Sequence, residues 1–186
     1  YVTSVVASPG PQEVAMSERL ATELKPQKVA YYLAGDNDIF MARAMAMKEV
    51  IEKSGAATVA EITTLTADTD FTGPATQGIA TGPDLIVVMT TQQPTIGIIT
   101  ALRQRGYEGM IVTSEVLSPP AVFKKSGETI TGIPFALSFQ PGVSDSDAAV
   151  AFIDAYKAQY NALPDVYAAQ GYMAIQFIAQ GLKSLD

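Results

Sequence analysis

Three nearly uninterrupted apolar runs, at residues 29–33, 85–89 and 110–113, constrain the fold more than anything else in this chain. A strand without polar alternation has to be covered on both faces, which is the situation of a parallel strand inside a helix-flanked sheet. Each run ends in a polar corner: KVAYYL passes into AGDNDIF, PDLIVVM into TTQQP, and MIVTS into EVLSPP. If the three strands are parallel, the corners gather along one sheet edge, and open α/β sheets bind ligands at that edge.

The intervening segments have helical spacing. QEVAMSERLATEL (residues 12–24) places Val14, Leu20, Ala21 and Leu24 on one side, and Pro26 stops it. Asp36 or Asn37 caps a second helix whose stripe is Phe40, Ala44, Met47, Val50 and Ile51; Arg43 and the neighbouring Lys and Glu residues fall mainly off it. Residues 58–63 alternate as an edge strand, and 72–81 form a short helix weakened by glycine and proline. Pro94 suits the first position of a helix running to Arg105, and another short helix opens at Ser118-Pro119. Ile133, Phe135, Leu137 and Phe139 then alternate as a fifth strand.

Ser144 and Asp145 precede a helix with the stripe Ala149, Phe152, Ile153, Tyr156 and Tyr160. Asp165 caps a last helix that is apolar on most sides (Tyr167, Tyr172, Ile175, Ile178, Leu182) and is therefore expected to be largely buried. Strands alternating with helices predict a doubly wound α/β fold. The expected sheet is mainly parallel and five-stranded, in the order 2-1-3-4-5, with helices on both faces. Residues 1–186 read as a single lobe with no repeat or interdomain linker. In that order the strands reverse direction of growth between the first and the third, so the crevice lies between Asp36–Phe40 and Thr90–Gln93, with Glu115 after the neighbouring fourth strand.

The formal charge of -7 argues against nucleic acid as a partner, because phosphate contacts need clustered Lys or Arg. With no Cys and no His, disulfides, thiolate nucleophiles and the usual soft metal ligands are excluded. No run approaches the roughly 20 apolar residues of a membrane-spanning helix. The chain starts at Tyr1 and not at Met, which reads as a mature or excised piece of something longer.

Two chemistries compete at the corners. Asp36 and Asp38 have the spacing to hold Mg²⁺ beside a phosphate, but no glycine-rich phosphate loop accompanies them; their other reading is a helix cap with favourable first-turn charge. Ser114 beside Glu115 lacks a histidine base, so nucleophilic catalysis is not expected. Glu115 itself is either a loop acid or an acceptor for a ligand ammonium. Thr90, Thr91, Gln92 and Gln93 offer hydroxyls and amides, or simply start the next helix. Phe40 is either a crevice wall or core, and Tyr172 has to place its hydroxyl on a backbone or ligand partner if it is buried. This kit suits holding a small molecule without a cofactor.

Read in order, KPQKVAYYLAGDNDIFMARAMAMKEVIEKSGAATV, ADTDF, PDLIVVMTTQQPTIGIITALRQRGYEG, SEVLSPP and PDVYAAQGYMAIQFIAQGLKSL resemble a known lobe. It is the second lobe of the type I periplasmic binding proteins of ABC transporters, in the branch that binds branched-chain amino acids. The resemblance implies an exported, non-enzymatic bacterial receptor, monomeric, that closes on a small ligand in the periplasm and presents it to a membrane permease. It also implies that Glu115 grips the ligand ammonium and that Phe40, Thr90, Thr91, Gln92 and Tyr172 lie near the ligand; Asp38, at the first corner, is a further candidate for ligand binding. Where the family usually shows Tyr-Gly, this chain has Phe40-Met41, and a glycine-rich corner has become Met89-Thr90-Thr91. Those departures leave aromatic acids as an alternative ligand class, and a sensor domain of the same architecture as an alternative role.

Overall fold

The structure is a computed structural model that describes residues 10–143 and 146–183. By internal contacts the chain divides into two compact units. The first, residues 10–117 and 121–136 of the described chain, contains the sheet. The second contains residues 118–120, 137–143 and 146–183.

In the first unit, helix α1 (Pro11–Arg19) continues into a π turn (Leu20–Leu24) that ends where Lys25 takes a left-handed conformation at φ 50°. Strand β1 (Lys28–Ala34) follows, then α2 (Asp38–Lys53), β2 (Ala57–Thr64), α3 (Thr72–Ala80), β3 (Leu85–Met89), α4 (Gln92–Gln104) and β4 (Met110–Thr113). A 3-10 turn (Glu115–Leu117) leads to α5 (Pro120–Ser126). Asn37 provides the cap of α2, its side chain accepting from the amides of Ile39 and Phe40 at 3.2 Å each. Pro94 sits at the third helical position of α4 and not the first, still within the turn whose amides have no intrahelical carbonyl.

All pairings are parallel, in the order β2-β1-β3-β4, with Tyr32 beside Val88 and Val88 beside Thr113. Alternate residues of β1 feed opposite layers. Val29, Tyr31 and Leu33 pack with Ala44, Met47 and Ile51 of α2. Ala30 and Tyr32 pack with Ala75 of α3 and with Ile98 and Leu102 of α4. The doubly wound α/β layering and the switch between β1 and β3 are as the apolar runs predict.

The sheet has four strands and not five. Around residue 135 only a single bridge forms, between Thr113 and Phe135, with the Thr113 amide donating to the Pro134 carbonyl at 3.3 Å. Pro134 has no amide to extend the ladder on the N-terminal side of this bridge, and the segment does not form a strand.

The second unit contains α6 (Asp147–Tyr160) and α7 (Val166–Lys183). Ser146 caps α6 by accepting from the Ala149 amide at 3.2 Å; the expected cap residues Ser144 and Asp145 lie outside the described residues. Asp165 caps α7 through the Ala168 amide at 2.8 Å. Phe152 stacks on Tyr172 with ring centroids 4.5 Å apart. Contrary to expectation, α7 is not largely buried: Val166 and Ala169 are covered, whereas Ile175 is 65% and Leu182 62% exposed. An all-round apolar helix reports that cover is wanted, and two helices alone have too little surface to provide it.

Candidate functional site

The sheet order brings the ends of β1, β3 and β4 to one edge, and the crevice there is built from three corners. After β1, the chain turns through Gly35 and Asp36 into α2. Asp36 accepts from the Thr66 hydroxyl at 2.6 Å and the Thr66 amide at 2.9 Å, ties that hold its carboxyl below the usual range despite some desolvation. It is thus spent on a neighbouring loop. Asp38 is exposed on the first turn of α2. Among the described residues no group of three or more acidic side chains is gathered to hold a metal ion.

Phe40 is half-buried and reaches away from its own helix's layer. The stripe Ala44, Met47 and Ile51 faces one side of the sheet, but Phe40 packs against the cluster on the other side. Its ring therefore lies across the sheet edge, the position of a crevice wall.

After β3, Thr90 is fully buried and its hydroxyl oxygen has no hydrogen-bond partner. Thr91 is the residue preceding α4, and its hydroxyl makes no cap bond. Gln92 is half-buried and donates from Nε2 to the Val116 carbonyl at 2.9 Å, tying the start of α4 to the turn after β4. After β4, the buried Ser114 hydroxyl is likewise unpartnered. Buried hydroxyls normally find partners, and these two lack one at adjacent strand ends.

Glu115 is 7% exposed and begins the 3-10 turn. No cation stands near Glu115 in sequence, but the fold supplies one: Arg43 Nη2 donates to Glu115 Oε1 at 3.2 Å. Arg43 does not simply fall off its helix's buried stripe, since its side chain is only 12% exposed. The same guanidinium lies 3.4 Å, through Nε, from Oε1 of the buried Glu13 on α1. It also sits 5.8 Å from the centroid of the Phe40 ring. One guanidinium is shared by two buried carboxylates, and the cluster has a net charge of -1.

Glu13 and Arg43 join this cluster without having been expected there from the sequence. The signal for Arg43 was its i,i+3 spacing from Phe40, which puts the two on one helical face. Nothing local pointed to Glu13. Tyr172 belongs to the second unit, 43% exposed and stacked on Phe152. A cleft of about 570 Å³ lies near the opposite end of β1, lined by Ala21, Thr22, Lys25, Pro26, Gln27 and Ser54. The hydroxyls of Thr22 and Ser54 there are already bonded to their own helix carbonyls.

The family of periplasmic binding proteins matches residues 1–186. The chain belongs to that family. Among solved structures it is similar to a leucine-binding protein from Thermotoga maritima, at 21% identity and TM-score 0.86, covering 93% of this chain and 49% of that one. A branched-chain amino acid transporter substrate-binding protein from Streptococcus pneumoniae, in complex with isoleucine, matches at 27% identity and TM-score 0.76, covering 91% and 48%. A solute-binding protein of an ABC transporter from Rhodopseudomonas palustris, in complex with benzoate, matches at 19% identity and TM-score 0.78, covering 95% and 48%. No curated protein matches the chain. This periplasmic binding protein chain spans about half the length of the solved relatives it matches. Family and fold are those of solute-binding proteins, and no helix among the described residues is long and apolar enough to cross a membrane.

Proposed function

We propose that this chain is one ligand-binding lobe of an extracytoplasmic receptor that captures a small amine-bearing carboxylate and delivers it to an ABC-transporter permease without chemical turnover. The observation that carries the reading is the charge balance at the sheet edge. Glu115 and Glu13 share one guanidinium, so the buried cluster is one positive charge short. Buried charge without a partner is costly, and a ligand ammonium supplies the missing one. The orphan hydroxyls of Thr90 and Ser114, with Gln92 and Thr91 beside them, provide polar contacts, and Phe40 provides an apolar wall. Asp38, exposed at the start of α2 beside the first corner, is a further candidate contact. The missing half of the receptor completes the site, since closure buries most of a small ligand.

The test is binding of L-leucine, L-phenylalanine and their 2-hydroxy analogues to the full-length receptor, by calorimetry, in wild type and Glu115→Gln. Loss of one partner of a desolvated charge pair costs about 2–5 kcal/mol. The substitution is expected to weaken the amino acids by that amount and the hydroxy acids much less. Equal losses, or a wild type that prefers the hydroxy acids, would refute the assignment. A second reading, a receptor for aromatic acids, is favoured by two observations: the cation of Arg43 stands over Phe40, and the relative from Rhodopseudomonas palustris holds benzoate. Benzoate bound more tightly than either amino acid would select it.

A further inference from the structure

Glu13 has no place in the crevice by sequence, yet it is buried and shares the one cation that reaches Glu115. Its Oε1 lies 3.4 Å from Arg43 Nε, and its Oε2 accepts from the Gly10 amide at 3.1 Å at the start of α1. Arg43 Nη2 reaches Glu115 Oε1 at 3.2 Å. Neither contact is a bidentate fork, and Arg43 Nε has no hydrogen bond of good geometry. The guanidinium is held between two acids, engaged fully by neither. Among the described residues no other ion pair reaches any of the three.

We propose that Glu13 is a specificity-determining positioning residue: by holding part of the Arg43 charge, it keeps the Glu115 carboxylate available to a ligand ammonium. The inference rests on the reading of Glu115 as the ammonium acceptor. Its physical basis is charge counting in a buried cluster, where screening by water is weak. With both acids ionised the trio has charge -1, and an ammonium brings it to zero. Without the Glu13 charge, Arg43 and Glu115 form a complete neutral pair. A ligand ammonium then has to displace a guanidinium from its only partner, and the site loses its preference for amines although no ligand-contacting residue has changed.

The experiment compares affinity ratios, L-leucine over 2-hydroxyisocaproate and L-phenylalanine over 3-phenyllactate, in the full-length receptor. Glu13→Gln keeps an oxygen to accept from the Gly10 amide, so the start of α1 retains its bond. It is expected to lower both ratios about tenfold or more, with the hydroxy acids bound almost as in wild type. Adding Arg43→Met to Glu13→Gln leaves Glu115 as the sole charge, restores the net charge of -1 and is expected to restore the ratios. A purely structural Glu13 would weaken amino and hydroxy acids alike and leave the ratios unmoved; that result overturns the proposal. So does a double variant that, though folded by circular dichroism, stays as unselective as Glu13→Gln. A wild type that binds neither member of either pair sinks the receptor reading itself, and this inference with it, which is distinct from an amine preference that Glu13→Gln fails to change.

Discussion

Gly78 of α3 sits against the ring of Tyr32, and replacing it with alanine tests how tightly α3 is packed on β1. Tyr32 is fully buried, and its hydroxyl donates to the Pro74 carbonyl at 2.9 Å. A Cβ built on Gly78 would fall inside contact distance of that hydroxyl and lie 3.0 Å from Cζ and 3.3 Å from Cε2. Two costs follow. The ring has to shift, with overpacking worth about 1–3 kcal/mol, and the shift breaks a hydrogen bond worth about 0.5–1.5 kcal/mol. Alanine in a helix returns about 0.5–1 kcal/mol of backbone entropy relative to glycine. The net expectation for Gly78→Ala is a loss of about 0.5–4 kcal/mol, read by urea unfolding, with Tm falling about 2–4 °C for each kcal/mol. The decisive control is the same change in a Tyr32→Phe background. With the hydroxyl gone, the closest clash disappears and the bond to Pro74 is already lost. The second substitution should then cost about 1–2 kcal/mol less than in wild type. Additive losses, or a Gly78→Ala protein as stable as wild type, would show that this layer yields and that the packing argument is wrong.

Two further outcomes follow from burial. Desolvation pushes Tyr32 and Tyr107 up to about 12 from the usual 10.0, each also raised by a neighbour, Tyr107 and Asp84 respectively. Because the folded values are raised, their contribution to stability is complete below the unfolded value near 10.0 and is lost as pH rises through about 12. Ultraviolet difference titration should show these phenols ionising only as the protein unfolds; two phenols ionising at their ordinary value in the folded protein would contradict their burial. On α7, Ile175 and Ile178 are 65% and 56% exposed, so changing both to Lys should leave the unfolding free energy of this chain within about 0.5 kcal/mol per site and reduce binding of an apolar dye. A loss of several kcal/mol would mean that this face is already covered.

What the sequence determined by itself is everything that local periodicity encodes. The unbroken apolar runs of β1, β3 and β4 required cover on both faces, and that alone placed helices on either side and the polar corners along one edge. The cap of α2 at Asp36 or Asn37, the end of the α1 segment before Pro26 and the place of Glu115 after β4 were all legible, because each depends on residues within a few positions. Phe40 was legible as a candidate wall, but that it leaves its own layer for the opposite one was not. The alternation at 133–139 looked like a fifth strand because side-chain pattern says nothing about whether a neighbour's amides can be met, and Pro134 removes one of the donors that a ladder needs. The hydrophobicity of α7 was equally plain in the sequence, while its exposure depends on what else is present to cover it. The charge cluster is the clearest case of a tertiary decision. Arg43 lies 72 positions from Glu115, and Glu13 sits on a third element. These three side chains meet only because the order β2-β1-β3-β4 brings α1, α2 and the end of β4 to one corner. An ion pair across elements leaves no periodic trace in the chain, since its partners are selected by which faces the folded layers turn toward each other.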